Sequence, residues 1–440
     1  MFPPRVVIAG TASGVGKTTI AVGLMAALQR AGERVAPYKV GPDYIDPSYH
    51  AVACGRPSHN LDPVLCGEDL VPPLFGSAVS GASVAVIEGV MGLYDGRAAT
   101  PFGSTAHVSR LLAAPVVLVV DASSMSRSVA ALVHGFATFE PGVRLAGVIV
   151  NRVASPRHEA LVRSSLEETG VPVLGVLPRD DSLSTPSRHL GLVPADERIA
   201  AARATVDALS SMVSSCVDLE ALLAVARSAP SMSAEPWRPE PIVGARRMVA
   251  LAAGPAFTFR YAANVEMLRA GGADVVEFDP LVDDALPAGT DAVVIGGGFP
   301  ELYADRLAAN LPMLRSVRAV VAEGARVYAE CAGLLYLAKT LEAHEMCGVV
   351  PTDVAMTKRL SLGYRDAVGV SDAVAGLRVT GHVHHRTAST PAVGKVPLWR
   401  LDGEPAGFAT DNVLASYLHL HFAGAPAVPH WLLARGVDRV

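Results

Sequence analysis

Short apolar runs alternate along the chain with longer segments in which apolar residues recur every three or four positions. Arg5–Ala9 predicts a buried strand, and Thr18–Arg30 an apolar-periodic helix behind it. Val84–Glu88, Pro115–Asp121, Leu145–Asn151 and Pro172–Leu177 predict further strands, each followed by a helical or Gly/Pro-rich stretch, and Ala195–Arg227 predicts helix. Val-rich strands alternating with helices imply a doubly wound α/β domain with a parallel sheet. Ser228–Arg246 breaks the rhythm with Pro230, Pro236, Pro239 and Pro241 among Ser and Arg, the composition of an interdomain linker. The alternation then restarts with strand Met248–Ala252, helix Tyr261–Ala270, strands Asp274–Phe278 and Asp291–Ile295, helix Leu311–Glu323 and strand Arg326–Ala329. The expected organisation is a first α/β domain over 1–227, a linker over 228–246 and a second α/β domain over 247–440.

Composition narrows the classes. The chain has 440 residues, half of them apolar, with a formal net charge of −5 and no basic block, so nothing calls for nucleic acid as a partner. It lacks the run of about 20 apolar residues that a membrane helix needs, and the short segment Met1–Ala9 does not read as a signal peptide. The five cysteines, Cys54, Cys66, Cys216, Cys331 and Cys347, are odd in number and lack Cys-x-x-Cys spacing. A disulfide framework or zinc site is not expected, and the reducing cytoplasm is the expected location.

Gly10-Thr11-Ala12-Ser13-Gly14-Val15-Gly16-Lys17-Thr18-Thr19 follows a predicted strand and opens a predicted helix, the context of a phosphate-binding loop. Gly14 and Gly16 let the backbone wrap phosphates, the helix N-terminus favours the anion, Lys17 reaches the terminal phosphates and the Thr18 hydroxyl suits Mg²⁺. Thr11 stands where the strict pattern has glycine, so this is a variant loop. Within Val86–Gly96, Glu88 ends a buried strand at the edge where open α/β sheets bind ligands, and a carboxylate there can hold the metal of a nucleotide. Lys39–Pro47 brackets Asp43, Tyr44 and Asp46 between Gly and Pro; by chemistry alone a rigid acidic loop and an ordinary polar turn fit it equally.

Tyr328-Ala329-Glu330-Cys331-Ala332-Gly333-Leu334-Leu335-Tyr336 runs from strand through Cys and small residues into helix, the pattern of a nucleophile elbow with Cys in place of Ser. The helix N-terminus is expected to lower the thiol pKa, and the Ala332 N–H to donate to an oxyanion. The Gly296–Glu301 turn offers a second donor from Gly297 or Gly298. Ser416–Phe422 contains two candidate bases, His419 and His421, which on a strand would face the same side. His382, His384 and His385 have no Cys or acid partner at metal-site spacing.

In this order and spacing the motifs resemble the cobyrinic acid and hydrogenobyrinic acid a,c-diamide synthases of cobalamin biosynthesis over essentially the whole chain. The blocks that carry the resemblance are Gly10–Thr19, Lys39–Pro47, Val86–Gly96, Arg188–Leu192, Gly296–Glu301, Glu330–Gly333 and Ser416–Phe422. The resemblance implies a dethiobiotin-synthetase-like P-loop domain followed by a class I glutamine amidotransferase-like domain. It implies a ligase that amidates the a and c acetates of a corrinoid with ATP, Mg²⁺ and L-glutamine. Lys17, Thr18 and Thr19 would bind ATP; Thr18, Asp46 and Glu88 would hold the metal; Asp43, Tyr44, Asp46 and Asp95 would line the carboxylate- and phosphate-handling site. Asn151 and Arg152 stand where relatives hold adenine. Cys331 would be the thioester nucleophile, with His419 its base in preference to His421. A homodimer is compatible with the class.

The sequence departs from the family in two places. Gly381-His382-Val383-His384-His385 replaces Gly-His-Glu-Phe-His, and Pro186-Ser187 stands where relatives often have Pro-Glu. Rival readings are a sister enzyme acting on another tetrapyrrole, such as Ni-sirohydrochlorin a,c-diamide synthase or cobyric acid synthase, and a ParA-like P-loop switch. The switch would need neither Cys331 nor His419.

Overall fold

The computed structural model describes residues 1–179, 187–188, 191–192, 194–239 and 247–434. It divides into two compact units, Met1–Trp237 and Arg238–Val440. Of the motif positions singled out above, Pro186, His189, Leu190 and the linker positions 240–246 lie outside the described residues.

The first unit is built on seven parallel strands: β1 (Arg5–Gly10), β2 (Val35–Val40), β3 (His59–Leu61), β4 (Val84–Glu88), β5 (Val116–Asp121), β6 (Leu145–Val153) and β7 (Val173–Pro178). Their order is β3-β2-β4-β1-β5-β6-β7, so the chain turns opposite ways on either side of β1. Ligands bind at such a reversal, beyond the carboxyl ends of the strands. Every residue of β1, β2 and β4 is buried, as expected of strands covered on both faces. The sequence pattern misses β2 because Pro37 and Lys39 interrupt its apolar run.

Helix α1 (Lys17–Arg30) starts at the end of the glycine loop. It packs against the helix Ile199–Cys216 so closely that a Cβ on Gly23 would lie 2.5 Å from Val213 Cγ2 and 2.9 Å from the Leu209 carbonyl. The expected single helix over Ala195–Arg227 is two, Ile199–Cys216 and Leu219–Arg227. Asp218 is the reason: its carboxylate accepts from the Ala221 N–H and caps the second helix. The segment 228–237, expected to be linker, lies along this unit instead. Arg5 donates to the Pro230 carbonyl at 2.8 Å, Phe2 N–H to Met232 at 2.8 Å and Trp237 N–H to Pro73 at 2.9 Å.

Strand pair β8 (Ser187–Arg188) and β9 (Gly191–Leu192) is antiparallel. In the second unit, β10 (Arg247–Ala252), β11 (Ala273–Phe278), β12 (Ala292–Ile295) and β13 (Arg326–Glu330) form a parallel sheet with a late strand, Val413–Ser416, beside β13. Phe408–Ala409 closes that edge antiparallel. A second, mixed sheet is dominated by the hairpin of Asp353–Gly369 with Arg378–Thr390, whose register slips between Met356 and Ser361. The sequence pattern does not announce this sheet, because its strands are half-exposed and carry Lys, Arg and His. Ser416–Phe422 is not one strand: its ladder with β13 ends at Ser416, His419 makes an isolated bridge to His382, and His421 caps a 3-10 turn.

Gly23→Val is expected to destabilise the first unit by about 1–3 kcal/mol, the cost of overpacking. Urea unfolding of the whole chain should show the first unit's transition move to lower denaturant while that of the second holds.

Candidate active site

The first candidate site is formed at the carboxyl ends of β1, β2 and β4. Gly14 and Gly16 have φ of 79° and 97°, backbone that other residues adopt only with strain. A Cβ on Gly16 would also lie 2.3 Å from the Asn151 carboxamide nitrogen, which donates to the Val15 carbonyl at 2.9 Å. Asn151, expected beside adenine, therefore braces the phosphate loop. Arg152 pairs with Asp121 and has a left-handed φ of 60°. Lys17 donates to the Ala12 carbonyl at 2.9 Å. Burial and then Lys39 depress its pKa to about 8 against the pull of Glu88, Asp46 and Asp95. Thr19 is the third residue of α1, partly exposed.

Glu88 is fully buried, and its two oxygens are used separately. Oε1 accepts from Thr18 Oγ1 at 2.6 Å and Lys39 Nζ at 2.8 Å; Oε2 faces His50 Nε2 at 2.6 Å. His50 is held from its other side by Ser58 at 3.1 Å. Asp46 Oδ2 meets the same Lys39 Nζ at 2.6 Å and accepts from Thr18 Oγ1 at 3.2 Å. Burial pushes both carboxyls up. Lys39 and His50 outweigh it at Glu88 and hold that group far below the usual range, whereas Asp46, with Asp43 and Glu88 beside it, stays raised. Two carboxylates compete for one ammonium, and the one with the additional histidine keeps the charge. Thr18, Asp46 and Glu88 thus present three convergent oxygens, the hard donor set that suits Mg²⁺.

The acidic loop is ordered by its own backbone. Asp43 accepts from the Ile45 and Asp46 amides at 2.8 and 2.9 Å, starting helix α2 (Ile45–Cys54), and Tyr44 is buried beside it. Asp95 accepts from the Gly92 N–H at 2.9 Å, and a Cβ on Gly92 would strike that carboxylate. Sequence reasoning missed Lys39 and His50. Lys39 stood inside a singled-out motif; His50 lies in the helix just after it and gave no local signal.

The second candidate site is at the end of β13. Cys331 has φ 47° and ψ −101°, a strained conformation, with its N–H donating to the Ser416 carbonyl at 2.8 Å. A Cβ on Gly333 would lie 2.3 Å from the Ile295 carbonyl, so small residues must follow the cysteine for the helix Ala332–Leu337 to press against β12. Contrary to expectation, the thiol pKa is raised: burial outweighs the Ala332 N–H, and Glu301 and Glu330 add to it. Sγ donates to the His384 carbonyl at 3.7 Å.

His419 is buried, with its Nδ1 3.0 Å from the His382 carbonyl; that bond fixes Nδ1 as the protonated nitrogen and leaves Nε2 the basic one. A Cβ on Gly297 would lie 2.4 Å from that Nε2. His421 does other work: its Nδ1 accepts from the Ala423 N–H at 3.3 Å and its ring packs on Tyr261. Gly297 cannot serve as oxyanion donor in this arrangement, because its N–H is bonded to the Phe259 carbonyl at 3.1 Å. Gly298 and Ala332 keep that candidacy. The departure at Gly381–His385 also finds an explanation: His382 and His384 act through backbone carbonyls, which do not depend on the side chains at Val383 or His384.

A profile for the CobQ/CobB/MinD/ParA nucleotide binding domain matches residues 6–193, and one for the CobB/CobQ-like glutamine amidotransferase domain matches 248–427. The hydrogenobyrinate a,c-diamide synthase of Streptomyces coelicolor is 52% identical over 98% of this chain and 97% of its own. That of Thermobifida fusca is 50% identical over 96% and 94%. The cobyrinate a,c-diamide synthase of Salmonella typhimurium is 42% identical over 97% of each. The chain belongs to the a,c-diamide synthase family. In this synthase each matched domain falls within one of the two units, and each unit carries one of the two candidate sites. Among the described residues no helix is long and apolar enough to cross a membrane.

Burial lowers the pKa of His382 and His419 to about 3 and that of His385 to about 4. Between those values and the ordinary histidine value of about 6.5, the unfolded chain binds more protons than the folded one, so stability falls as pH falls. The slope approaches about 1.4 kcal/mol per pH unit for each such histidine. Thermal melts should show the second unit losing stability steeply from pH 6.5 to 5; a flat profile would contradict neutral burial of these rings.

Proposed function

We propose that this synthase amidates the a and c acetate carboxylates of hydrogenobyrinic acid, or of its cobalt form cobyrinic acid, using ATP, Mg²⁺ and ammonia drawn from L-glutamine in the cytoplasm. The observation that carries the reading is the presence on one chain of two built sites of complementary chemistry. Glu88, Asp46, Thr18 and Lys17 surround a phosphate loop, and Cys331 with His419 sits on a strained elbow. The relatives named for hydrogenobyrinate are 50 and 52% identical and the Salmonella cobyrinate enzyme 42%, which favours the cobalt-free substrate.

In the second unit, His419 Nε2 takes the Cys331 proton as sulfur attacks the glutamine side-chain amide. The tetrahedral oxyanion is held by the Ala332 and Gly298 amides; His419 passes its proton to the leaving nitrogen as collapse to the thioester releases ammonia, and water then hydrolyses the thioester to glutamate and the free thiol. Because burial keeps the resting thiol protonated, proton transfer must accompany attack. In the first unit, the loop amides and Lys17 hold the ATP phosphates while a substrate carboxylate takes the γ-phosphoryl group and ADP leaves; ammonia then attacks the acyl phosphate carbonyl and displaces inorganic phosphate, giving the amide. Thr18, Asp46 and Glu88 would hold Mg²⁺, which when bound neutralises charge on the phosphates. Asp43 and Asp95 stay hydrogen-bonded to backbone amides and keep the loops around the substrate carboxylate in shape.

The direct test supplies ATP, Mg²⁺ and glutamine with hydrogenobyrinic acid, cobyrinic acid or Ni-sirohydrochlorin and reads mass. Two amidations of a corrinoid are expected, lost with glutamine in Cys331→Ala and restored by ammonia; amidation of none of the three would overturn the reading. His419→Ala should lose glutamine-dependent turnover by about 10²-fold or more, the range for a general base. His421→Ala should lower the melting temperature and retain most of the turnover.

A further inference from the structure

The glutaminase reading needs Cys331 and His419 held at a fixed separation, yet they come from different segments. Cys331 follows β13, and His419 lies beyond the end of strand Val413–Ser416, where its N–H and carbonyl form an isolated bridge with His382. The ladder between those strands ends at Glu330 opposite Ser416, three residues short of His419. The bridge with His382 ties His419 to another strand; what fixes the segment beyond it, at Leu420, is not sheet pairing.

Two side chains do so, both acting on Leu420. The Leu420 N–H donates to Glu330 Oε1 at 2.8 Å. The Leu420 carbonyl accepts from Asn264 Nδ2 at 2.8 Å, and Asn264 Oδ1 accepts from the Phe422 N–H at 2.7 Å. Glu330 is itself fixed: the same Oε1 accepts from the Tyr328 hydroxyl at 2.7 Å, and Tyr328 is buried two residues back on the same strand. One carboxylate oxygen therefore links the residue before the nucleophile to the residue after the base.

The geometry points to Glu330 as a positioning residue of the glutaminase site, one that sets the placement of His419 relative to Cys331 by holding the Leu420 amide. It rests on the assignment of Cys331 and His419 above and adds a group that touches neither the glutamine nor the reacting atoms. Its glutamate side chain is buried beside a thiol whose ionisation a carboxylate opposes, so a purely catalytic demand on Cys331 would not place an acid there. An acceptor reaching Leu420 accounts for it.

The test compares Glu330→Gln, Glu330→Asp and Glu330→Leu in the full chain. Glutamine hydrolysis is measured for kcat and KM, ammonia-dependent amidation in parallel, and melting temperature as a check on folding. Gln preserves the acceptor and should keep kcat within about fivefold of the parent. Leu removes the acceptor and should lower kcat by about 10²-fold, the penalty for a displacement of about an ångström in a catalytic group. KM should stay within about threefold, and amidation from ammonia should be unchanged. Asp withdraws the acceptor by one methylene and should fall between the two, a result that keeps the comparison decisive if the Leu variant does not fold. Full kcat in Asp and Leu would overturn the proposal. So would a loss in Gln equal to that in Leu, which would mean that charge, not reach, is what matters. Cys331→Ser in the same assay separates the two layers: if it still hydrolyses glutamine, the underlying site assignment fails, whatever the Glu330 variants do.

Discussion

The first unit depends on keeping one fully buried carboxylate ionised. Glu88 has no contact with water, and burying an isolated charge would cost several kcal/mol or neutralise the group. The fold meets that cost with an ammonium, an imidazole and a hydroxyl, each from a different element: Lys39 from β2, His50 from α2 and Thr18 from α1. The sheet order suits this requirement: β2, which carries Lys39, lies beside β4, which carries Glu88. β1, which leads through the glycine loop to Thr18, is the neighbour of β4 on its other side.

In the second unit, orientation of the proposed catalytic pair is supplied by backbone carbonyls. His419 is aligned by a carbonyl, the Cys331 thiol rests on another, and the one strand that provides both, Arg378–Thr390, is tied to the histidine segment by a bridge between His382 and His419. A carbonyl fixes the tautomer without adding a charge. The histidine thus remains neutral inside the protein, and the thiol has no strong pull toward ionisation before substrate arrives.

Much of this was legible in the sequence because it is local. The phosphate loop, Glu88 at a strand end and the strand–Cys–small–helix run each carry their meaning within about ten residues. What was not legible depends on contacts between distant positions. Lys39 reads as a break in an apolar strand until Glu88, 49 residues later, is set beside it. His419 and His421 look equivalent on an assumed strand; they part company because the His382 carbonyl, 37 residues earlier, takes the Nδ1 of His419 while His421 caps a 3-10 turn and accepts from the Ala423 N–H. The mixed sheet escaped notice because half-exposed strands rich in Lys, Arg and His lack the apolar alternation that periodicity detects. The Gly297 amide reads as an oxyanion donor until its bond to Phe259 is seen.

The strap formed by residues 228–237 makes the first unit's two ends neighbours: Phe2 and Arg5 are bonded to Met232 and Pro230. A module whose entry and exit run side by side can be joined to another without any strand of its sheet being rerouted. The nucleotide-binding half is therefore a self-closed cassette, tied off by Arg5 before the chain goes on. Exchange of glutaminase partners by gene fusion would leave its phosphate loop and acidic cluster undisturbed.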